Sequence, residues 1–429
     1  MDKSAMWNKM IGIIKQDVTP ATGCTEPIAL AYAAATAARE LGEAVRFVDA
    51  RVSANLMKNG MGVTVPGTGT PGLYIAAAVG ALGGDAGAGL QVLKALTPDV
   101  VALGKQYVAD GKVTVSVRED TPHVLYAEAV VYGENHRVRV VITDDHTNIV
   151  FVEKDGQVLL DQRTEAGSGE DPKIAFLHTL TLADIVDFAE HVPLADIAFL
   201  QEAERLNDQL SQEGLTGKYG LKIGYTLQKM VDKDLLSDDL SHRIQIRTVA
   251  ASDARMGGAA FPAMTNSGSG NQGITASVPV VVYAQELGVS RETLYRALAV
   301  SNLSTIHIKA HIGTLSAYCG AVSAGCGAGA GITYLYGGGY EHIKHTLVNA
   351  MAITSGIICD GAKASCAAKI AMGVDCGILG YDMYAGGNNF RPGDGILGAD
   401  VEDTIRNVGV LAAQGMRETD RVILKIMTE

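Results

Sequence analysis

The sequence predicts an α+β chain: an N-terminal α+β region with an antiparallel sheet over residues 1–170, then a mostly α-helical region over residues 171–429. Three observations support this division. Short β-rich runs separated by turn residues crowd the first part, and apolar residues recur at helical spacing through the second. A polar stretch at 164–171 lies between them as a hinge.

Taken in order, an alanine-rich helix is expected at 26–41, a strand at 46–55 from its alternating pattern, and a helix at the apolar run 73–82. Strands follow at 112–117, 123–131, 137–142 and 148–153. Their separators TP, YGEN, TDDH and KDGQ are turn material, so an antiparallel meander is predicted. Helical periodicity then runs through 182–210 and on to the C-terminus. Leu182, Ile185, Val186 and Ala189 fall at i, i+3, i+4 and i+7, one helical face, and are assigned to the core. The chain has no repeat of fixed period, low-complexity tail or sustained heptads.

A formal charge of -12 and a pI near 5.3, without a basic run, argue against a nucleic-acid partner. The first residues, MDKSAMWNKMIGIIKQD, lack the pattern of a signal peptide, which predicts a cytoplasmic protein with reduced thiols. The stretches 256–285 and 311–340 carry no formal charge apart from His311. Gly, Ser, Asn and Pro interrupt both too often for about 20 consecutive apolar residues, so buried helices are predicted rather than a membrane span. Fifty glycines and heavy alanine use point to closely packed backbones and are compatible with a homodimer.

Five of the six cysteines, Cys319, Cys326, Cys359, Cys366 and Cys376, lie close together near the C-terminal end, while Cys24 stands alone. A chain of 429 residues can bury an ample core without covalent staples, so clustered thiols need another reason. No CxxC pair of a structural zinc site is present. The spacing suits an iron-sulfur cluster held by thiolates from separate segments; equally, free cysteines can be small buried hydrophobes. Gly320, Gly325, Gly327, Gly329, Gly356 and Gly361 would let backbone approach an inorganic centre, or would let helices pack tightly. Lys363 either offsets cluster charge, binds a substrate carboxylate, or is a solvated surface group.

In PATGCTEP, Pro27 suits the first helical turn and Thr25 the N-cap, leaving Cys24 just outside a helix N-terminus. That position favours a thiolate able to act as base or nucleophile, whereas burial would raise the thiol pKa. Thr22 and Thr25 beside it are candidate substrate contacts. Ser53, Asn55, Lys58 and Asn59 end the predicted strand 46–55 ahead of the anion-suited loop VPGTGTPG, with Lys58 and Asn59 as carboxylate candidates. Asn266, Ser267 and Asn271 lie in an uncharged segment where buried amides need partners, either substrate or local turn bonds. His307, Lys309 and His311 alternate in IHIKAHIG, but a third zinc ligand and a catalytic Glu are not evident, so satisfied histidines are expected. GTGTPG and SGSGNQG complete neither GxGxxG between strand and helix nor GK[ST], and are not read as nucleotide loops.

PATGCTEP, TNSGSGNQG at 265–273, and the pair YCG and CDGAKASC occur in one chain in this order. By these elements the whole chain resembles the L-cysteine desulfidase family, a single-chain relative of the iron-sulfur L-serine dehydratases. The resemblance implies a 4Fe-4S cluster on Cys319, Cys359 and Cys366, with Cys326 and Cys376 as bystanders. It puts Cys24 where the dehydratases carry a histidine thought to remove the substrate α-proton. Those enzymes also supply a fourth cysteine from the C-terminal end, and VILKIMTE contains none, which leaves one iron without an assigned ligand. The implied reaction is β-elimination of L-cysteine to hydrogen sulfide, ammonia and pyruvate, without pyridoxal phosphate. L-Serine or another β-substituted amino acid as substrate, or a cluster-bearing sensor without turnover, are the alternatives.

Overall fold

A computed structural model describes residues 2–163, 171–313 and 315–429; the predicted hinge lies outside them except for Asp171. The chain is mixed α/β, with one six-stranded sheet in its first part and helices through the rest. The spatial order of the strands is Val113–Val117, Phe47–Val52, Tyr126–Tyr132, Arg137–Thr143, Ile149–Lys154, Gln157–Asp161. The last four form the antiparallel meander that the turn separators predict.

Two features of the sheet differ from expectation. Val113–Val117 runs parallel to Phe47–Val52, with Val48 opposite Val113, because the chain crosses over through the helices Leu73–Gly83 and Pro98–Ala109 before returning. Gln157–Asp161 adds an edge strand that alternation does not reveal, since Val158 and Leu159 are both about half exposed. The run predicted as one strand, 46–55, also stops early. Ser53 Oγ accepts from Leu56 N and donates to Val124 O, capping a short helix, Ala54–Gly60, that carries Asn55, Lys58 and Asn59.

The alanine-rich helix Thr25–Leu41 lies against the sheet and against Leu73–Gly83, where a Cβ at Gly80 would stand 2.7 Å from Ala31 Cα. Small residues on both helices allow that approach. The antiparallel pairing of Pro20–Thr22 with Pro262–Met264 ties the segment before this helix to the helical part of the chain.

Leu182, Ile185, Val186 and Ala189 are buried in the largest core, as predicted, behind a capping box formed by Thr181 and Asp184. The first helix, Lys3–Asp17, contributes Met10, Ile13 and Ile14 to that same core. The two uncharged stretches supply Gly270–Leu287 and Gly320–Leu335, both mostly buried. Gly325 and Gly329 meet Gly373 and Gly377 of the helix Cys366–Ala385, and Gly327 meets Thr305 of Arg291–Ile312. Of the two readings of these glycines, tight helix packing is the one realised. Among the described residues no helix is long and apolar enough to cross a membrane.

Candidate active site

After the strand Pro20–Thr22, Gly23 takes φ +80° and passes 2.7 Å, at its would-be Cβ, from Pro66 Cδ, which turns the chain into the helix Thr25–Leu41. Cys24 itself is the N-cap residue, extended at φ -85°, ψ 132°. Thr25, expected there, is the first helical residue, and its hydroxyl donates to Glu26 Oε2 at 3.3 Å. Cys24 Sγ donates to the same oxygen at 2.8 Å. Burial, followed by the Glu26 charge, pushes the Cys24 thiol well up, outweighing the helix terminus that predicted a thiolate. Glu26 is held below the usual carboxylate range: burial opposes this, but His146, the Cys24 thiol, its own backbone N–H and Arg255 prevail. The resting pair is therefore a thiol donating to a carboxylate.

Tyr318 bridges Ile358 in antiparallel fashion, and Cys359 N donates to Ala317 O at 2.6 Å. This pairing brings the thiols of Cys319 and Cys359 within hydrogen-bonding reach. The Cys319 hydrogen bond pushes Cys359 down to about 6 against the effect of burial, while the same bond and burial push Cys319 up. Cys366 opens the helix Cys366–Ala385, accepts from Lys363 N at 3.5 Å, and packs with Cys24, Val63 and Met256. Cys24, Cys319, Cys359 and Cys366 all line one cavity of about 90 Å³. Cys326, fully buried beside Thr354, and Cys376 do not line it.

Of the predicted substrate contacts, Asn59, Ser267 and Asn271 line this cavity. Thr22, Thr25, Asn55, Lys58 and Asn266 do not, and the structure gives each another place. Thr22 is in the pairing with Pro262, Thr25 is bonded to Glu26, and Asn55 sits half-buried on the Ala54–Gly60 helix. The Asn266 amide donates to Asn302 O and Oδ1 at 3.2 and 3.0 Å. Lys58, expected to meet a carboxylate of substrate, is fully buried and ion-paired with Asp420 of the helix Met416–Thr428, while also donating to Cys359 O. Asp420 Oδ2 accepts from Ala317 N at 3.1 Å, so the pair braces the two segments that carry Cys319 and Cys359. Lys363 pairs locally with Asp360 at 2.9 Å. His307 bonds Leu177 O and Glu402, as expected of a satisfied histidine, and His311 lies tilted against His178 at 4.6 Å between centroids.

Sequence reasoning gave no substrate role to Glu26, His146, Arg255, Gln272 and Lys309, which also line the cavity. Glu26 was visible within PATGCTEP, and Lys309 was noted only for its place between two histidines in IHIKAHIG; Arg255 and His146 carry no local signal. Among the described residues no group of three or more His, Cys, Asp or Glu converges as one metal ion requires. The donor chemistry is different from a single-ion site: the thiols of Cys319, Cys359 and Cys366 rim one space and would lose their protons on binding metal. That set matches a thiolate-held iron-sulfur cluster, which is touched at separate corners.

The chain matches the serine dehydratase alpha chain family over residues 87–425, a span that holds the three cysteines and begins after Cys24. The UPF0597 protein of Chromobacterium violaceum is 50% identical over 424 residues, 99% of this chain and 98% of that protein. The UPF0597 protein of Oleidesulfovibrio alaskensis is 47% identical, covering 98% of both. The UPF0597 protein YhaM of Escherichia coli K12 is 48% identical over 98% of this chain and 97% of its own. With its match extending over most of its length, the chain belongs to the serine dehydratase alpha chain family.

Proposed function

We propose that this protein is an L-cysteine desulfidase, a lyase that eliminates sulfide from L-cysteine and yields pyruvate and ammonia. Membership of the serine dehydratase alpha chain family supports a dehydratase-type lyase. The observation that carries the finer reading is the cavity in which the Cys24 thiol, bonded to Glu26, shares one wall space with Cys319, Cys359 and Cys366. Those three thiols would hold a 4Fe-4S cluster, which supplies when bound a Lewis-acidic iron for the substrate's soft sulfur.

The chain's own residues do the rest. Glu26, 2.8 Å from Cys24 Sγ, takes the thiol proton, and the resulting thiolate accepts the α-proton of the substrate. The β-sulfur leaves as hydrosulfide and takes the proton held on Glu26, which releases hydrogen sulfide, restores the thiol–carboxylate pair and leaves 2-aminoacrylate, which tautomerises and hydrolyses with one water to pyruvate and ammonia. Asn59, Ser267 and Asn271 contact the substrate.

The family's description favours one other substrate, L-serine, which would lose water in place of sulfide. Oxygen-free enzyme offered each amino acid separates the two. Sulfide and pyruvate from L-cysteine support the desulfidase; preferential pyruvate formation from L-serine supports the dehydratase. Cys24→Ala is expected to abolish turnover while iron content is retained, and activity surviving that change removes Cys24 from the role of base.

A further inference from the structure

Seven polar side chains around the cavity are each at least nine-tenths buried: Glu26, Asn271, Asn59, His146, Arg255, Gln272 and Lys309. Asn59 Oδ1, His146 Nε2, Arg255 Nε and Gln272 Oε1 have no hydrogen-bond partner among the described residues. The Lys309 ammonium makes no hydrogen bond or ion pair among them, and Arg255 makes no ion pair, its one side-chain bond running from Nη1 to Met256 Sδ at 3.4 Å. Most buried polar atoms in folded proteins are paired, and a buried cation without a partner is costly, so this concentration of unmet groups in one small space calls for a ligand. Two glycines clear the room that the heads occupy. A Cβ at Gly270 would lie 2.8 Å from Arg255 Cζ, and one at Gly320 would lie 2.5 Å from Gln272 Oε1 and 3.4 Å from Lys309 Nζ.

The unmet groups are of two kinds: cationic donors and neutral acceptors. A zwitterionic amino acid presents the complement, an acceptor carboxylate and a donor ammonium. Access is provided on the same side. His146 and Lys309 also border a second, larger cavity of about 770 Å³, lined by Asp17, Asp144, Asp145 and Lys173. We propose that Arg255 and Lys309 clamp the α-carboxylate of the substrate amino acid, while Gln272 Oε1 and Asn59 Oδ1 accept from its α-ammonium. This rests on the amino-acid lyase reading and names the residues by which that site would recognise the substrate's head. The charges that already face these cations are Cys359, Cys319 and Glu26 for Lys309, and Glu26 and Cys24 for Arg255, and the test is chosen to separate them.

The test is calorimetric titration of oxygen-free protein with L-alanine, which has the same head and no β-leaving group, beside ethylamine, which lacks the carboxylate. Wild type is expected to bind L-alanine and to ignore ethylamine. Arg255→Gln and Lys309→Met should each weaken L-alanine at least tenfold, at the scale of one charge-assisted hydrogen bond, with iron content unchanged. Arg255→Lys should recover part of the loss. If Arg255→Gln does not fold, as judged by its melt, Lys309→Met and Arg255→Lys decide the matter. Wild-type indifference to L-alanine, unchanged binding in the variants, or loss of iron from Lys309→Met with binding intact overturns the clamp. Binding that depends on Arg255 and Lys309 without sulfide release from L-cysteine refutes the desulfidase and leaves the clamp standing. Sulfide release with KM unaltered in both variants does the reverse.

Discussion

Replacing Gly329 with Ala tests how closely the two cysteine-bearing helices must approach. Gly320–Leu335 begins directly after Cys319, and Cys366–Ala385 begins at Cys366, so their packing sets one thiol against the other. A Cβ at Gly329 would stand 2.6 Å from Gly377 O, where ordinary contact begins at 3.4 Å, and the neighbour is backbone rather than a flexible side chain. The helices must therefore part by about 0.8 Å, the difference of those distances, at an overpacking cost of about 1–3 kcal/mol. Ala is favoured over Gly inside a helix by about 1 kcal/mol, so the net loss is about 0–2 kcal/mol, with the midpoint near 1. Chemical denaturation measures this loss, and iron content after oxygen-free preparation reports the thiol displacement. A lowered midpoint with lowered iron is expected. Gly329→Ala at wild-type or higher stability, with full iron, would refute the reasoning.

Gly12→Ala supplies the opposite sign: its Cβ meets nothing within 4 Å on the exposed side of Lys3–Asp17, so a gain of about 0.5–1 kcal/mol is expected in the same denaturation assay. Asp420→Ala strips the buried Lys58 of its carboxylate and Ala317 N of its acceptor; a loss of about 3–5 kcal/mol is expected, measured as unfolding free energy. Asp253 is fully buried, accepts from Gly224 N, and is pushed by burial up to about 6 from 3.8. Its raised value means that its contribution is full below the ordinary pKa and is lost as pH rises through about 6, an effect of up to about 3 kcal/mol. Asp253→Asn should therefore melt close to wild type at pH ~4 and above it at pH ~7.5. Glu26→Gln removes the acceptor for the Cys24 proton, and a fall in kcat of about 10²-fold or more is expected, with iron retained.

The meander was legible because turn residues separate its short β-rich runs; its inner strands Tyr126–Tyr132 and Arg137–Thr143 are buried along most of their length and do not alternate. The parallel pairing of Val113–Val117 was not, since it depends on where two intervening helices deliver the chain. Ala54–Gly60 was hidden inside a strand-like run whose Ser53 turned out to be a cap. Within the site, cysteine is rare enough that five in a short span signalled themselves, and Cys24 was marked by the turn before its helix. Lys58 misled because its partner, Asp420, is 362 positions away, a distance over which no local pattern operates. Arg255, Gln272 and Lys309 come from three successive helices and meet only through tertiary packing. Nothing in DARMGG distinguishes a lining residue from a surface one.

The central claim, that Cys319, Cys359 and Cys366 hold a cluster facing Cys24, is tested most directly by iron and acid-labile sulfide per chain in oxygen-free preparations. Wild type and Cys24→Ala should contain both in equal amounts, at one 4Fe-4S cluster per chain, and Cys326→Ala should match them. Replacement of Cys319, Cys359 or Cys366 by Ala should lower both sharply. Wild-type protein without iron, or full iron after any of those three replacements, would contradict the account.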